Sequence, residues 1–268
     1  MTDAPTPDPT PADPTPVDPT PPGDVQERIR RWWDEDAATY DHTPSHAATD
    51  PVEAAAWTAA LIAFLPPAPA DILDIGAGTG ALSLLAAELG HRVTALDLSE
   101  EMLAKAREKA AARGLELTFV HGAAEDPPGG PYDAVMERHV SWTLADPAGA
   151  FRSWRSVTRP GGRLMVFGGS WAGEGPLVAA KDAAAGAIRR WRGEREDHHA
   201  PYPDEIARSL PLGKVTSPAP YVEAMRDAGW RAIRIARLRD VEWAVERREA
   251  WPLGWLTHRP RYALVADA

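Results

Sequence analysis

The sequence predicts an α/β fold, in which a mostly parallel, Rossmann-like sheet carries helices on both faces. Between residues 71 and 169, short apolar segments of strand length alternate with longer segments of helix length. A glycine-rich turn follows the first of these strands, and an aspartate ends the second. Alternation at this spacing is typical of right-handed βαβ units, whose crossover helices bury both faces of a parallel sheet. With 44% hydrophobic residues, the 268-residue chain can bury the core of one such domain.

Each predicted element follows from its own local pattern. The strands are short apolar runs at 71–75, 92–97, 116–121, 132–138 and 163–169. The helices between them are 81–90, 99–114 and 147–158, the last of which ends before a Pro-Gly-Gly turn. Ser99 suits the N-cap of the second of these helices, and Gly114 suits the position just past its end. Two further helices, at 24–40 and 51–65, precede the first strand.

The alternation is interrupted at 170–220, which holds a helix around 178–193 and a polar, proline-containing stretch. We interpret this segment as an insertion over one sheet edge, which is either a lid or a packing elaboration. Regular structure resumes with a helix at 221–230 and strands at 232–238 and 261–267. These last two strands could pair as an antiparallel edge of the sheet.

Residues 1–23 differ in composition from the rest and are predicted to be a disordered tail. Nine of the 23 are proline, four are aspartate, and Asp-Pro-Thr recurs every five residues. Such a segment cannot bury enough apolar surface to offset its ordering entropy, and its prolines favour an extended, solvated chain. A PxxP ligand is conceivable, but a solubilising tail is the favoured interpretation. The folded domain is therefore predicted to span 24–268.

Composition and charge exclude several classes of protein. The chain carries 29 lysine and arginine residues against 39 aspartate and glutamate residues, a net charge of −10. Nucleic-acid and anionic-membrane binding both need a basic surface, so neither is predicted. The lack of cysteine excludes disulfides, thiolate zinc sites and cysteine nucleophiles. The sequence shows no apolar run of about 18 residues and no signal-peptide h-region, so a cytoplasmic location is expected.

The segment Asp74-Ile75-Gly76-Ala77-Gly78-Thr79-Gly80 joins the first strand to the following helix. Glycine removes the Cβ atom, so backbone in this turn can approach a ligand, and the helix behind it offers free N–H groups. Asp97 ends the next strand nineteen residues after Gly78, where a carboxylate can accept hydrogen bonds from two ribose hydroxyls. The pattern predicts a nucleotide-like cofactor cleft, although a tight turn alone and a helix-capping aspartate remain alternatives.

A nicotinamide-dependent dehydrogenase is the competing interpretation of this turn. The glycine spacing disfavours it, because the turn reads GxGxG with Asp74 before the first glycine, whereas the dinucleotide fingerprint is GxGxxG. Too few residues follow for a large catalytic domain, and the chain has no Tyr-x-x-x-Lys proton relay. A different cofactor is therefore favoured.

The motifs together resemble those of the class I S-adenosylmethionine-dependent methyltransferases, over about residues 35–170. DILDIGAGTG resembles the family's first motif, VTALDLSEEML its second and HGAAEDPP its third. YDAVMERHVSWTL is similar to the fourth strand with its loop, and RPGGRLMVF to the turn into the fifth strand. The resemblance implies a seven-stranded sheet of order 3-2-1-4-5-7-6 with strand 7 antiparallel, and S-adenosylmethionine as the cofactor.

The resemblance also implies roles for individual residues. Asp97 would bind the ribose, and Tyr40 would cover the methionine end of the cofactor. The adenine would be contacted by Leu98, Met102, Ala124 and Glu125. The whole implied cofactor-binding set is Tyr40, Asp74, Gly76, Gly78, Gly80, Asp97, Leu98, Met102, Ala124, Glu125 and Arg138.

The loop after the fourth strand, where acceptors lie in this fold, reads Arg138-His139-Val140-Ser141-Trp142. Because imidazole titrates near neutral pH, His139 is predicted to be the catalytic residue that orients the acceptor or takes its proton. The alternative is that His139 hydrogen-bonds backbone and only shapes the loop. No convincing cluster of carboxylates suggests a metal ion.

The chain has 11 tryptophans against four phenylalanines, an unusual excess of large, flat side chains. We hypothesise that Trp33, Trp142 and Trp171 line a pocket for an aromatic or heterocyclic acceptor. The alternative is that most tryptophans belong to the core, which is the interpretation favoured for Trp154 and Trp230.

These observations predict methyl transfer from S-adenosylmethionine to oxygen or nitrogen of a small molecule, with release of S-adenosylhomocysteine. The Asn/Asp-Pro-Pro-Tyr/Phe signature of amino-group methylation on nucleic-acid bases does not occur. A methyltransferase acting on a protein and a non-catalytic cofactor-binding protein of the same fold remain alternatives. The expected partner is a small-molecule acceptor, without nucleic acid or membrane, for a monomer or homodimer.

Removing residues 1–23 is expected to leave turnover unchanged, because a proline-rich polar segment makes few packing contacts. The measurement is the initial rate of the full and the truncated chain under the same conditions. A large drop in rate would show that the tail contributes to activity.

Overall fold

The computed structural model describes residues 22–42, 46–168, 175–193 and 204–268. Most of the predicted tail, parts of the predicted insertion and Trp171 lie outside the described residues. The boundary between tail and domain stays a prediction, although the first helix already begins at Pro22, two residues before the predicted position.

One mixed sheet positions the other elements. Its strands are β1 Asp71–Ile75, β2 Arg92–Asp97, β3 Thr118–His121, β4 Tyr132–Arg138, β5 Thr158–Gly168, β6 Arg231–Arg237 and β7 Tyr262–Asp267. Within the described ranges these seven strands have the order β3-β2-β1-β4-β5-β7-β6. Neighbouring strands from β3 to β5 are parallel, whereas β7 runs antiparallel to both β5 and β6. The predicted fold class, strand order and antiparallel β7 are confirmed.

Helices cover both faces of this sheet. They are α1 Pro22–Asp36, α2 Pro51–Phe64, α3 Ala81–Glu88, α4 Glu100–Ala112, α5 Pro147–Ser156, α6 Pro176–Trp191, α7 Asp204–Ser209, α8 Ala219–Asp227, α9 Arg239–Glu246 and α10 Leu253–Thr257. Ser99 caps α4 as predicted, since its Oγ accepts a hydrogen bond from Met102 N at 3.1 Å.

The structure differs from the sequence-based prediction at several element boundaries. Helix α1 ends at Asp36, so Tyr40, which was predicted to end this helix, lies instead in a short 3-10 turn, Tyr40–His42. Strand β5 begins at Thr158 and includes the Pro-Gly-Gly segment, because a bulge against β4 takes up the extra residues. Helices α9 and α10 are unpredicted, and they fill the connection between the two last strands.

The core has two layers because side chains alternate across each strand. On one face, Ile72, Met136 and Met165 pack with side chains of α2, α3 and α9. On the other face, strand side chains such as Leu73 and Val135 pack with those of α5 and α8. The second layer contains Trp154 at 0% and Trp230 at 2% exposure, so both are core residues as predicted.

The predicted insertion contributes to two different places. Helix α6 packs through Ala185 against Leu253 and Leu256 of α10. Helix α7 packs through Ile206 against Val25 and Ile29 of α1, close to the carboxyl ends of the central strands. Among the described helices, none has both the length and the hydropathy that crossing a membrane requires. The cytoplasmic location and the lid function of 170–220 stay predictions.

The turn between β1 and α3 packs closely on its neighbours. Gly76 has φ +61°, and a Cβ atom there would lie 2.0 Å from Val140 Cγ2 in the loop after β4. Gly80 packs against α4, where a Cβ atom would lie 3.1 Å from the Cβ of Ala106. These two glycines therefore bring the turn into contact with the β4 loop and with α4.

Gly76→Ala is expected to lower the free energy of unfolding by about 1–3 kcal/mol more than Gly161→Ala does. Both glycines have positive φ, +61° and +76°, so both substitutions add backbone strain. A Cβ atom at Gly161 meets nothing within 4 Å, so only the Gly76 variant clashes. Urea denaturation of the two variants measures the difference, and equal losses would contradict the close contact with Val140.

Candidate cofactor-binding site

A cavity of about 350 Å³ opens at the carboxyl ends of β1, β2 and β4. Its volume is within the range of roughly 300–1,000 Å³ that is usual for small-molecule sites. The predicted site residues that line it are Trp33, Tyr40, Gly76, Gly78, Asp97, Leu98, Met102, Ala124, Glu125, Arg138 and His139. Residues from five separate stretches of sequence thus meet around one space, which is where ligands bind in open α/β sheets.

The Asp97 carboxylate links the ends of the first two strands. Its Oδ2 accepts a hydrogen bond from Gly78 N at 2.7 Å, and its Oδ1 accepts one from Ser99 N at 2.8 Å. Burial raises the pKa of Asp97 to about 6, against the opposing effect of these two N–H donors. Because a carboxylate oxygen has two lone pairs, each oxygen can accept one further hydrogen bond from a ligand hydroxyl.

Asp74, in β1 just before the glycine turn, is hydrogen-bonded to the helix that follows the turn. Its Oδ2 accepts a hydrogen bond from Ser83 Oγ of α3 at 2.5 Å, and only 2% of the residue is exposed. Burial raises the pKa of Asp74 to about 7, although the Ser83 bond acts in the opposite direction. The residue lines a smaller adjoining space of about 20 Å³ together with Gly78 and Tyr40, and it does not line the main cavity.

Polar contacts of the neighbouring Asp41 hold Tyr40 beside the glycine turn. Asp41, its neighbour in the 3-10 turn, accepts hydrogen bonds from Thr79 Oγ1 at 2.6 Å and pairs with Lys109 Nζ at 2.6 Å. The ring of Tyr40 stacks on His46 at 4.3 Å between centroids. Asp41 and Lys109 are not among the site residues predicted from the sequence.

The far wall of the cavity is formed by the end of β3 and the start of α4. Met102 is 1% exposed, and the carbonyl of Ala124 is fixed by a 2.6 Å hydrogen bond from Trp154 Nε1. Glu125 accepts a 3.3 Å hydrogen bond from the Gln26 amide of α1. A core tryptophan therefore fixes the backbone where the resemblance implies an adenine contact.

His139 stands in the loop after β4 with φ +66°, a left-handed conformation that is uncommon outside glycine. Burial holds the pKa of His139 well below its usual range, and the positive charges of Arg138 and Arg261 lower it further. The imidazole is therefore neutral at pH 7 and has a nitrogen that can accept a proton.

Glu137, the last residue but one of β4, is an unpredicted residue that supports this loop. It is 1% exposed, and its two carboxylate oxygens accept hydrogen bonds from Ser141 Oγ at 2.6 Å and Val140 N at 2.8 Å. Burial raises the pKa of Glu137 to about 7. Nothing in a single glutamate at a strand end distinguishes such a residue in the sequence.

The tryptophans predicted to line an acceptor pocket divide into three cases. Trp33 lines the cavity, whereas Trp142 packs behind it among the apolar side chains that join α1 to α7. Trp171 lies outside the described residues. Within those residues, no group of three or more histidine, aspartate or glutamate side chains could hold a metal ion.

Comparison with known sequences adds to this geometry. A family profile described as a methyltransferase domain matches residues 73–166. A ubiquinone biosynthesis O-methyltransferase of Xanthomonas axonopodis pv. citri (strain 306) is 34% identical over 139 residues, which are 51% of this chain and 55% of that protein. The tRNA 5-carboxymethoxyuridine methyltransferase of Escherichia coli (strain K12) is 35% identical over 112 residues, which are 40% of this chain and 43% of that protein. The chain thus spans about half the length of the curated relatives it matches.

Solved structures share the whole fold at lower identity. Geranyl diphosphate C-methyltransferase of Streptomyces coelicolor A3(2), in complex with Mg²⁺, geranyl diphosphate and S-adenosyl-L-homocysteine, has a TM-score of 0.60 at 18% identity. The match covers 93% of this chain and 98% of that chain. Magnesium protoporphyrin IX methyltransferase of Synechocystis, with bound S-adenosylhomocysteine, has a TM-score of 0.56 at 17% identity and covers 90% and 99%. Residues 73–166 therefore match a methyltransferase domain, and the described residues share the sheet order and fold of solved methyltransferases.

Proposed function

We propose that the chain transfers a methyl group from S-adenosylmethionine to an oxygen or nitrogen atom of a small molecule. One observation carries this proposal. A single cavity is lined by Gly78 and Asp97 at the cofactor motifs and by His139 and Thr143 at the β4 loop. A cofactor held by the first pair and an acceptor beside the second pair would therefore share one space.

The lining residues fit the cofactor. Asp97 keeps free lone pairs for the two ribose hydroxyls, and Gly78 leaves the backbone open where a side chain would stand. Leu98 and Met102 offer apolar surface to the base. When bound, S-adenosylmethionine supplies a methyl group on a positively charged sulfur, and the aromatic ring of Tyr40 is suited to cover that charge.

The protein then has to position the acceptor, exclude water and take up a proton. Val25 and Ile29 of α1 close one side of the cavity with apolar side chains, which excludes water. Transfer of the methyl group from bound S-adenosylmethionine to an O–H or N–H acceptor would release a proton from the acceptor and would leave S-adenosylhomocysteine as the product. The neutral imidazole of His139 would accept that proton.

The largely apolar cavity and the net charge of −10 favour a small-molecule acceptor. The prediction of no nucleic-acid partner is not confirmed, because one relative is a tRNA methyltransferase. Transfer to tRNA is therefore the second candidate function, and transfer to protein or binding without transfer remain further alternatives.

The test is incubation of the full-length protein with methyl-labelled S-adenosylmethionine and three pools, namely phenolic and amine small molecules, total tRNA, and cell protein. The proposal predicts label in the low-molecular-weight fraction. Label in tRNA or in protein would contradict the proposed acceptor class. Saturable cofactor binding with no label in any pool would instead support a non-catalytic protein.

Asp97→Ala is expected to weaken S-adenosylmethionine binding by about 2–3 kcal/mol, because it removes a charge-assisted bidentate contact. Binding to the unaltered protein should also weaken as the pH falls through about 6, the raised pKa at which this carboxylate takes up a proton. Calorimetric titration of S-adenosylmethionine into the unaltered protein and into Asp97→Ala, between pH 5 and 8, measures both effects. The pH dependence near 6 should disappear in Asp97→Asn, and its persistence there would assign it to another group.

His139→Ala is expected to lower kcat by roughly 10²–10⁴-fold while leaving S-adenosylmethionine affinity unchanged, because it removes only the proton acceptor. Since the pKa of His139 lies well below its usual range, protonation of this imidazole should not lower kcat at pH 6.5. His258→Ala is the matched control, because that histidine pairs with Glu246 away from the cavity. Near-normal turnover of His139→Ala would contradict the assigned role.

A further inference from the structure

The loop that carries His139 leaves the sheet directly after β4. Pairing of β4 with β5 ends at Arg138 and Phe167, so the loop beyond Arg138 receives no further ladder hydrogen bonds from β5. Even so, His139 holds φ +66°. A residue other than glycine adopts this conformation uncommonly and at an energetic cost, so contacts that hold it are expected nearby. Some contact next to His139 must therefore restrain the loop.

Glu137 supplies that contact from inside the core. Its carboxylate is enclosed at 1% exposure, and each oxygen accepts a hydrogen bond from one of the two residues that follow His139. Oε2 accepts from Val140 N at 2.8 Å, and Oε1 accepts from Ser141 Oγ at 2.6 Å. The Glu137 side chain leaves the backbone two residues before His139, and it hydrogen-bonds to the two residues after His139. These bonds therefore close a ring that includes the His139 backbone.

The same ring fixes Val140 against the cofactor turn. Val140 Cγ2 fills the space where a Cβ atom of Gly76 would stand, so the loop cannot move toward the turn. Thr143 N also donates a 2.8 Å hydrogen bond to Val140 O, which holds the following residues. The Glu137 carboxylate holds the loop on one side and the glycine turn holds it on the other. His139 therefore stays at the cavity that it lines.

We propose that Glu137 is a positioning residue, whose carboxylate fixes the backbone at Val140 and Ser141 and thereby aims the His139 imidazole at the acceptor. This inference rests on the proposed function, because it concerns the orientation of the group assigned to take the acceptor proton. Glu137 touches neither ligand space directly, so its effect passes through His139.

Glu137→Gln is the decisive variant, because the amide keeps the shape but has a single acceptor oxygen for two donors. Ser141→Ala removes one donor and leaves the bond to Val140. Glu53→Gln is the matched control, since Glu53 is also a fully buried carboxylate but pairs with Arg248 away from the cavity.

Three quantities are measured for each protein: kcat with labelled cofactor, the Kd for S-adenosylmethionine, and the NMR titration of the His139 imidazole. The His139 resonance is assigned by its disappearance in His139→Asn. In Glu137→Gln we expect kcat to fall by roughly 10–100-fold, the loss typical of a misplaced group, with Kd within twofold of the unaltered protein. The His139 pKa should rise toward its ordinary value as the loop opens. Ser141→Ala should give intermediate values of kcat and of the His139 pKa, and Glu53→Gln should change neither kcat nor that pKa.

An unchanged kcat and an unchanged His139 titration in Glu137→Gln would overturn the proposal. Parallel losses of kcat, cofactor affinity and melting temperature would also overturn it, in favour of a structural role. If Glu137→Gln does not fold, the same titration of Ser141→Ala decides.

The imidazole titration separates this proposal from the proposed function. If the unaltered protein transfers no methyl group but Glu137→Gln shifts the His139 titration, positioning holds and the proposed function fails. If the unaltered protein is active and Glu137→Gln changes neither kcat nor the His139 titration, only the positioning role fails.

Discussion

The site depends on one buried carboxylate that joins two strands. Asp97 ends β2, and it accepts hydrogen bonds from the backbone of Gly78 after β1 and of Ser99 before α4. A buried carboxylate is costly unless donors surround it, so the turn and the helix start must stay in place around it. Asp97 also lines the cavity, so the residue that organises the turn is also the residue best placed to bind the ribose.

The N-terminal segment is coupled to that arrangement through polar contacts with three of the cofactor motifs. Asp34 accepts a 2.6 Å hydrogen bond from Ser99 Oγ after β2, and Asp41 joins the 3-10 turn to Thr79 in the glycine turn. The Gln26 amide reaches Glu125 after β3. Helix α1 therefore forms one wall of the cavity, and the proposed exclusion of water depends on how this helix docks against the strand–turn–helix unit.

Local patterns were sufficient to predict the parallel sheet and the cofactor motifs, because strand alternation, a glycine turn and a terminal aspartate each act within a few residues. Contacts between distant segments could not be predicted in this way. No sequence pattern marks Glu137, because the Val140 N–H and the Ser141 hydroxyl reach its carboxylate only in the folded structure. Trp142 is adjacent to the predicted loop in sequence, yet it packs behind the cavity because α1 and α7 meet there.

The most direct test of this account is a crystal structure of the full-length protein with S-adenosylhomocysteine. The account predicts the nucleoside in the 350 Å³ cavity, with both ribose hydroxyls about 2.5–3.0 Å from the Asp97 carboxylate. The Gly78 N–H should still donate to that carboxylate. A nucleoside bound elsewhere, or ribose hydroxyls without contact to Asp97, would contradict it.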